Sequence, residues 1–169
     1  MPKWTEIELV EQAKAGNQDA FCQLVQLYQK QILYLSFDLV GNYQDASDIA
    51  QDAFIRAYDK MHQFNAAAKF STWLFRITVN IAMDFHRHRR PNAMSLSQED
   101  ENDLSSYAAG PVEEIEKQET ATEFKQNLDK LSPQQRTVVI LKFYHDKSYR
   151  EIADIMACTE STIRNHNAR

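Results

Sequence analysis

The chain has 169 residues, 43% of them hydrophobic, with Gly 3, Pro 4 and a formal net charge of -5 at pH 7. That length allows one ordinary domain or two small ones, and the shortage of turn formers favours helix. No apolar run approaches the ~18 residues of a membrane span. The opening MPKWTEIELVEQ also lacks the apolar core of a signal peptide, so a cytoplasmic protein without membrane insertion is expected.

From Asn17 to Leu39 the residues Phe21, Leu24, Val25, Leu27, Tyr28, Ile32, Leu35 and Leu39 recur at helical spacing, with Asn17 or Asp19 placed to cap the helix. Cys22 and Cys158 sit among apolar neighbours without a C-x-x-C, which reads as two buried small hydrophobes. Gly41 and Asn42 break the helix, and Asp45 to Met61 begins another. Its apolar stripe is Ala46, Ile49, Ala50, Ala53, Phe54, Ala57, Tyr58 and Met61; Asp45, Asp48, Gln51, Asp52 and Arg56 occupy the opposite face. Residues 62 to 69 read as a loop or poor helix.

Ser71 or Thr72 then caps a third helix, whose seam is Trp73, Ile77, Ile81 and Phe85. A second stripe of Arg76, Asn80, Asp84 and Arg87 recurs every three to four residues, allowing Arg76 or Arg87 to pair with Asp84. The helix ends in HRHRR. Residues 69 to 90 carry five Lys/Arg against one Asp/Glu, so a polyanion-binding segment is compatible with an acidic chain. The preceding NAAAKFST offers small residues around Phe64 and Phe70, where an unstacked base fits beside aromatic surface. His86 and His88, two apart and roughly 200° around a helix, do not chelate one metal from that face, and neither metal nor cofactor is expected.

Pro91 stops the helix. The stretch that follows is poor in large apolar residues, and its run Glu99 to Asp103 holds four acids in five positions; it reads as a flexible linker. Helical periodicity returns from Val112 to Leu131. Ser132-Pro133-Gln134-Gln135 and Ser148-Tyr149-Arg150-Glu151 are consecutive capping boxes, the first with Pro where a missing amide donor costs nothing. Between them TVVILKFY is β-branched enough for a strand, but the cap and the lack of a partner strand favour a buried helix.

From Ser148 onward, YREIADIM, the tight connection ACTE and STIRNHNAR have the layout of a helix-turn-helix. Ala153 is the small residue at the crossing and Ile163 the buried β-branched one. Ser161, Thr162, Arg164, Asn165, His166 and Arg169 then form a face of donors and acceptors for phosphates and base edges. Ala157 occupies a turn position that favours Gly.

Four pieces in this order, GNQDAF with its long helix, DASDIAQDAFIRAY, KFSTWLFRITVNIAMDFHRHRR and LSPQQRTVVILKFYHDKSYREIADIMACTESTIR, resemble a bacterial sigma factor of the small extracytoplasmic-function group over about residues 9 to 167. The resemblance implies an all-α protein of two small helical domains: 1–90 (region 2), a flexible acidic linker 91–116, and 117–169 (region 4, with the helix-turn-helix). It implies transcription initiation in an envelope or environmental stress response, with no enzymatic activity. Its partners are core RNA polymerase, promoter DNA and an anti-sigma factor or other protein inhibitor. It also assigns residues. Asp48, Gln51, Asp52 and Ile55 meet core polymerase. Phe64, Asn65, Lys69, Phe70, Ser71, Thr72, Arg76, Asn80 and Arg87 meet the minus-ten element. The helix from Ser161 meets the minus-thirty-five element, although Asn167 stands where the family usually has an apolar residue. The competing expectation is a stand-alone helix-turn-helix regulator with a helical sensor domain, which has no need of a single-strand site at 64–90. Ser71, Thr72 and Thr78 lie near these surfaces as candidate modification sites.

Overall fold

The computed structural model describes residues 4–89 and 126–167, and every regular element among them is a helix. The elements are α1 (Glu6–Lys14), α2 (Gln18–Val40), α3 (Tyr43–Asp59), a 3-10 turn (Met61–Gln63), α4 (Phe70–Arg89), α5 (Pro133–Phe143), α6 (Tyr149–Met156) and α7 (Glu160–Asn167). Residues 126–129 form a further helical turn whose Leu128 is buried. The expected linker 91–116 and most of the expected helix from Val112 lie outside the described residues.

Local chemistry sets the boundaries. Thr5 and Glu8 form a capping box at the start of α1, a helix that the apolar periodicity does not announce. Asn17 caps α2 through Ala20 N, and Asn42 caps α3 through Asp45 N. Between those helices Gly41 adopts φ 82°, ψ 4°, a left-handed geometry that ends α2 as its position suggests. Both expected boxes, Ser132 with Gln135 and Ser148 with Glu151, are formed, so TVVILKF is helical.

Helix α2 is central: it packs on α1, α3, α4 and α5. Leu24, Ile32 and Leu35 are fully buried on it, each contributing about 1.5–3 kcal/mol relative to exposure. Two residues expected to be buried on this helix fall outside its core. Leu27 is 59% exposed, and Cys22, about 100° round from Phe21, is exposed as well. Burial pushes the half-buried Cys158 thiol up instead.

Helix α4 differs most from expectation. It begins at Phe70, ahead of the expected cap, and its buried residues are Phe70, Leu74, Phe75, Thr78, Val79, Ile81 and Ala82. Trp73, Ile77 and Phe85 are only half-buried. The extra buried face exists because α5 and α6 pack against α4 in addition to α2 and α3. Phe75 meets the ring of His145 edge-on at 5.8 Å and the Lys147 ammonium at 4.5 Å. His145 Nε2 lies 2.9 Å from Asp38 of α2, and the Thr137 hydroxyl lies 3.8 Å from the Met83 sulfur. The apolar core therefore runs continuously from α1–α4 into α5–α7. Thr78, expected near a surface, is buried with its hydroxyl donating to the Leu74 carbonyl, so it is not an accessible modification site.

Candidate nucleic-acid and polymerase interface

The polar face of α3 is built as its sequence suggests. Asp48 and Gln51 are exposed; Asp52 is half-exposed and held by Arg56 at 2.8 Å, one turn on. Ile55 projects among them at 60% exposure. Asp45, at the amino-terminal end of this face, is committed to Arg89 and to the Asn42 side chain. Tyr58 is not on the buried stripe: it is 44% exposed, edge-on to Phe21 and accepting from Gln18.

The segment from Phe64 to Thr72 frames a cavity of about 690 Å3 between this loop, α1 and Tyr28 of α2. Asn65 tightens the turn, its side-chain oxygen accepting from Ala67 N and its carbonyl from Ala68 N. Ala66, Ala67 and Ala68 leave the mouth unobstructed, and Lys69 is 77% exposed. Phe64 and Phe70, expected to offer open aromatic surface, are turned inward at 3% and 4% exposure. With Trp73 and Tyr28 they form a cluster of rings 5.1–5.8 Å apart, of which Phe64, Phe70 and Tyr28 line the cavity. A loop of alanines cannot hold its own shape, so the rings are spent on fixing it. Ser71 and Thr72 are half-buried at the start of α4.

Along α4 from this cavity, Arg76 and Asn80 are exposed on one face. Arg87 continues the stripe, paired with Asp84 at 2.6 Å; a pair this exposed contributes at most a few tenths of a kcal/mol and leaves the guanidinium available. Lys69 reaches back to Glu151 at 3.9 Å, bringing the loop alongside the start of α6.

The helix-turn-helix is closed as expected around Ala153 and the fully buried Ile163. Ala157 sits at φ 53°, ψ 45°, the left-handed geometry that favours Gly. Thr159 caps α7, its hydroxyl accepting from Thr162 N and lying 3.0 and 2.8 Å from the hydroxyls of Ser161 and Thr162. Ser161, Thr162, Arg164 and Asn165 are all exposed. Arg164 is tethered to Glu160 at 2.8 Å and lies over the Tyr149 ring. The side chain of His166, and Arg169, lie outside the described residues.

Sequence reasoning misses α1 as a wall of the cavity, with Glu6, Ile7, Val10 and Glu11 lining it beside Tyr28. The T-x-x-E box at Thr5 is the available signal.

Comparison with known proteins places both halves. The Sigma-70 region 2 family model matches residues 24–91, and that of Sigma-70 region 4 matches residues 122–169. The chain is 35% identical over 162 residues to the ECF RNA polymerase sigma factor SigW of Bacillus subtilis, covering 92% of this chain and 87% of that one. This chain belongs to the ECF RNA polymerase sigma factor family. The ECF sigma-E factor of Escherichia coli K12 is 34% identical over 167 residues, with 95% and 87% covered. Among solved structures, CnrH in complex with the cytosolic domain of CnrY shares the fold at TM-score 0.70 and 24% identity, covering 97% of this sigma factor and 90% of that chain. An engineered region 2 of sigmaE in complex with GTAAAA matches at 36% identity and TM-score 0.51, covering 56% of this sigma factor and 99% of that chain. The sigma factor reading thus stands over that of a stand-alone regulator, because the similarity to sigma factors runs through both halves. No helix among the described residues is long and apolar enough to cross a membrane.

Proposed function

We propose that this sigma factor docks on core RNA polymerase through Asp48, Gln51, Asp52 and Ile55 and opens promoters by holding unstacked non-template bases at the cavity of the 64–72 loop. The strand then follows Arg76, Asn80 and Arg87 along α4. The observation carrying this reading is the adjacency of a preformed cavity and a cationic, amide-bearing stripe on one helix, the arrangement that single-strand binding needs. The region 2 relative solved with GTAAAA supports it. Helix α7 enters the major groove at the minus-thirty-five element with Ser161, Thr162, Arg164 and Asn165, extended by His166 and Arg169. In this reading residues 1–90 and 117–169 are the two working domains and 91–116 joins them.

The protein acts in the cytoplasm and performs no chemistry of its own; trapping of unstacked bases shifts the duplex toward its melted form. A protein inhibitor that hides the polymerase-docking face completes its set of partners. The sigma factor RpoE of Bartonella quintana, which shares the fold at TM-score 0.68 and 24% identity, was solved with the anti-sigma factor NepR.

Run-off transcription on genomic DNA with added core enzyme tests the whole reading, and absence of any factor-dependent transcript refutes it. For the docking face, Asp48→Lys with Asp52→Lys is expected to weaken core binding at least about tenfold. Unchanged association sinks the assignment. Both carboxylates are at least part-exposed, so the fold tolerates the change.

A further inference from the structure

A second cavity, of about 160 Å3, lies where the two helical groups meet. Its walls include Leu39 of α2, Ala82, Met83 and His86 of α4, and Pro133 and Arg136 of α5. Neither polymerase docking nor strand capture uses it. Arg136 is short of partners there. Its side chain is 20% exposed and its Nη1 donates to Asp129 at 3.1 Å, while its Nε is buried without any hydrogen-bond partner. No other buried side-chain nitrogen or oxygen among the described residues is left in that state. A charged donor that is desolvated and unpaired carries one of the larger penalties in a fold, so the site favours an acceptor.

The edge formed by Nε and Nη2 is the side-on fork of a guanidinium, which matches the two oxygens of a carboxylate. Asp129 engages only Nη1, so the fork is open. The other polar groups of the lining are already committed. His86 Nε2 donates to the Leu39 carbonyl at 2.8 Å, and the Thr137 hydroxyl donates to the Pro133 carbonyl at 2.8 Å. No carboxylate lines the cavity among the described residues. One guanidinium fork beside Leu39, Ala82 and Met83 suits a singly charged anion with a short apolar body. Phosphate, more highly charged and more strongly hydrated, needs further donors that these walls do not supply. The volume lies below the ~300–1,000 Å3 of drug-sized ligand sites, so the guest has only a few non-hydrogen atoms.

We propose that this cavity binds a small aliphatic monocarboxylate, its oxygens held by Nε and Nη2 of Arg136 and its chain packed on Leu39, Ala82 and Met83. The walls come from both helical groups, so the guest binds while α5 rests on α2 and α4. It therefore favours that joined arrangement over any in which the groups part.

The test uses the full chain, with propionate as probe and isotope-labelled methionine methyls as reporters. Propionate is expected to shift the Met83 signal, assigned through Met83→Leu, saturably with a dissociation constant of about 1 mM. Met61, buried in the 3-10 turn away from this cavity, should not respond. Propionamide, the neutral isostere, and inorganic phosphate are each expected to bind at least about tenfold more weakly. Arg136→Lys keeps the charge and loses the fork, and should weaken propionate binding about tenfold. The unaltered protein decides the matter even if that variant folds poorly. Absence of a saturable Met83 shift up to about 20 mM propionate overturns the inference. So does propionamide or phosphate binding as tightly as propionate, or an unchanged affinity in folded Arg136→Lys.

Discussion

Replacing Ala157 by Gly is expected to stabilise the protein, although the change removes a side chain from the helix-turn-helix. At φ 53°, ψ 45° the Cβ of Ala157 crowds the following carbonyl, at a cost of about 1–2 kcal/mol that Gly does not carry. Glycine enlarges the unfolded ensemble, which removes about 0.4–1 kcal/mol of the benefit. Ala157 is exposed, so no packed methyl is lost. The balance is a gain of about 0.5–1 kcal/mol, or a rise in Tm of roughly 1–4 °C for a chain of this size. Urea unfolding followed by circular dichroism reads it as a higher midpoint at constant slope. The converse substitution is the control. Gly41 has φ 82°, and a methyl group placed on its Cα would have no neighbour within 4 Å, so Gly41→Ala meets no clash and its effect isolates backbone strain. It should destabilise by a similar amount. A lower midpoint for Ala157→Gly, or a higher one for Gly41→Ala, refutes the reasoning that left-handed geometry governs both positions.

Three further outcomes are expected. Asn80→Ala with Arg87→Ala should impair promoter opening, read by permanganate reactivity of unpaired thymines, more than core binding; equal loss of both marks the stripe as structural. The Glu151 carboxylate is held below its ordinary range chiefly by the Ser148 backbone amide, so its contribution to stability is present above about pH 4.5 and is lost as pH falls through the lowered folded value. Glu151→Gln should therefore flatten the acid limb of the stability profile, and an unchanged limb counts against the capping box as its source. His145→Ala, which removes a nearly buried ring from Phe75 and a partner from Asp38, should cost about 1–2 kcal/mol in urea unfolding. A cost near zero means the α5–α6 corner contributes nothing to holding the two helical groups together.

Most of the helical layout is legible in the sequence because caps and breakers are local chemistry. Asn17, Ser132 and Ser148 each announce a helix within four residues, and Gly41 ends one; Asn42, read only as part of that break, also caps α3, which starts at Tyr43 rather than Asp45. The differences cluster where distant segments meet. Phe75, Val79 and Ala82 lie off the seam read from α4, yet they are buried because α5 and α6 cover that side, which no window of α4 contains. Phe64 and Phe70 belong to the loop as expected, but to its underside rather than its surface. Aromatics beside an Ala-rich turn serve equally well as floor or as platform, and only the packing of Tyr28 and Trp73 beneath them decides. The acidic wall escapes a linear reading because Glu6 and Glu11 are separated from Lys69 by some sixty residues and meet it only through the fold.

The continuity of the core between α4 and α5–α6 bears on how these modules are exchanged. Sigma factors invite grafting of one DNA-reading half onto another, as though each half were an independent cartridge. Here Met83 meets Thr137, Phe75 meets His145 and Lys147, and Asp38 meets His145. A graft at 133–167 that alters His145 or Thr137 leaves the complementary positions on α2 and α4 facing mismatched neighbours in the free protein. Such chimaeras are better designed as exchanges of matched surfaces, with Asp38, Phe75 and Met83 travelling alongside the half they touch.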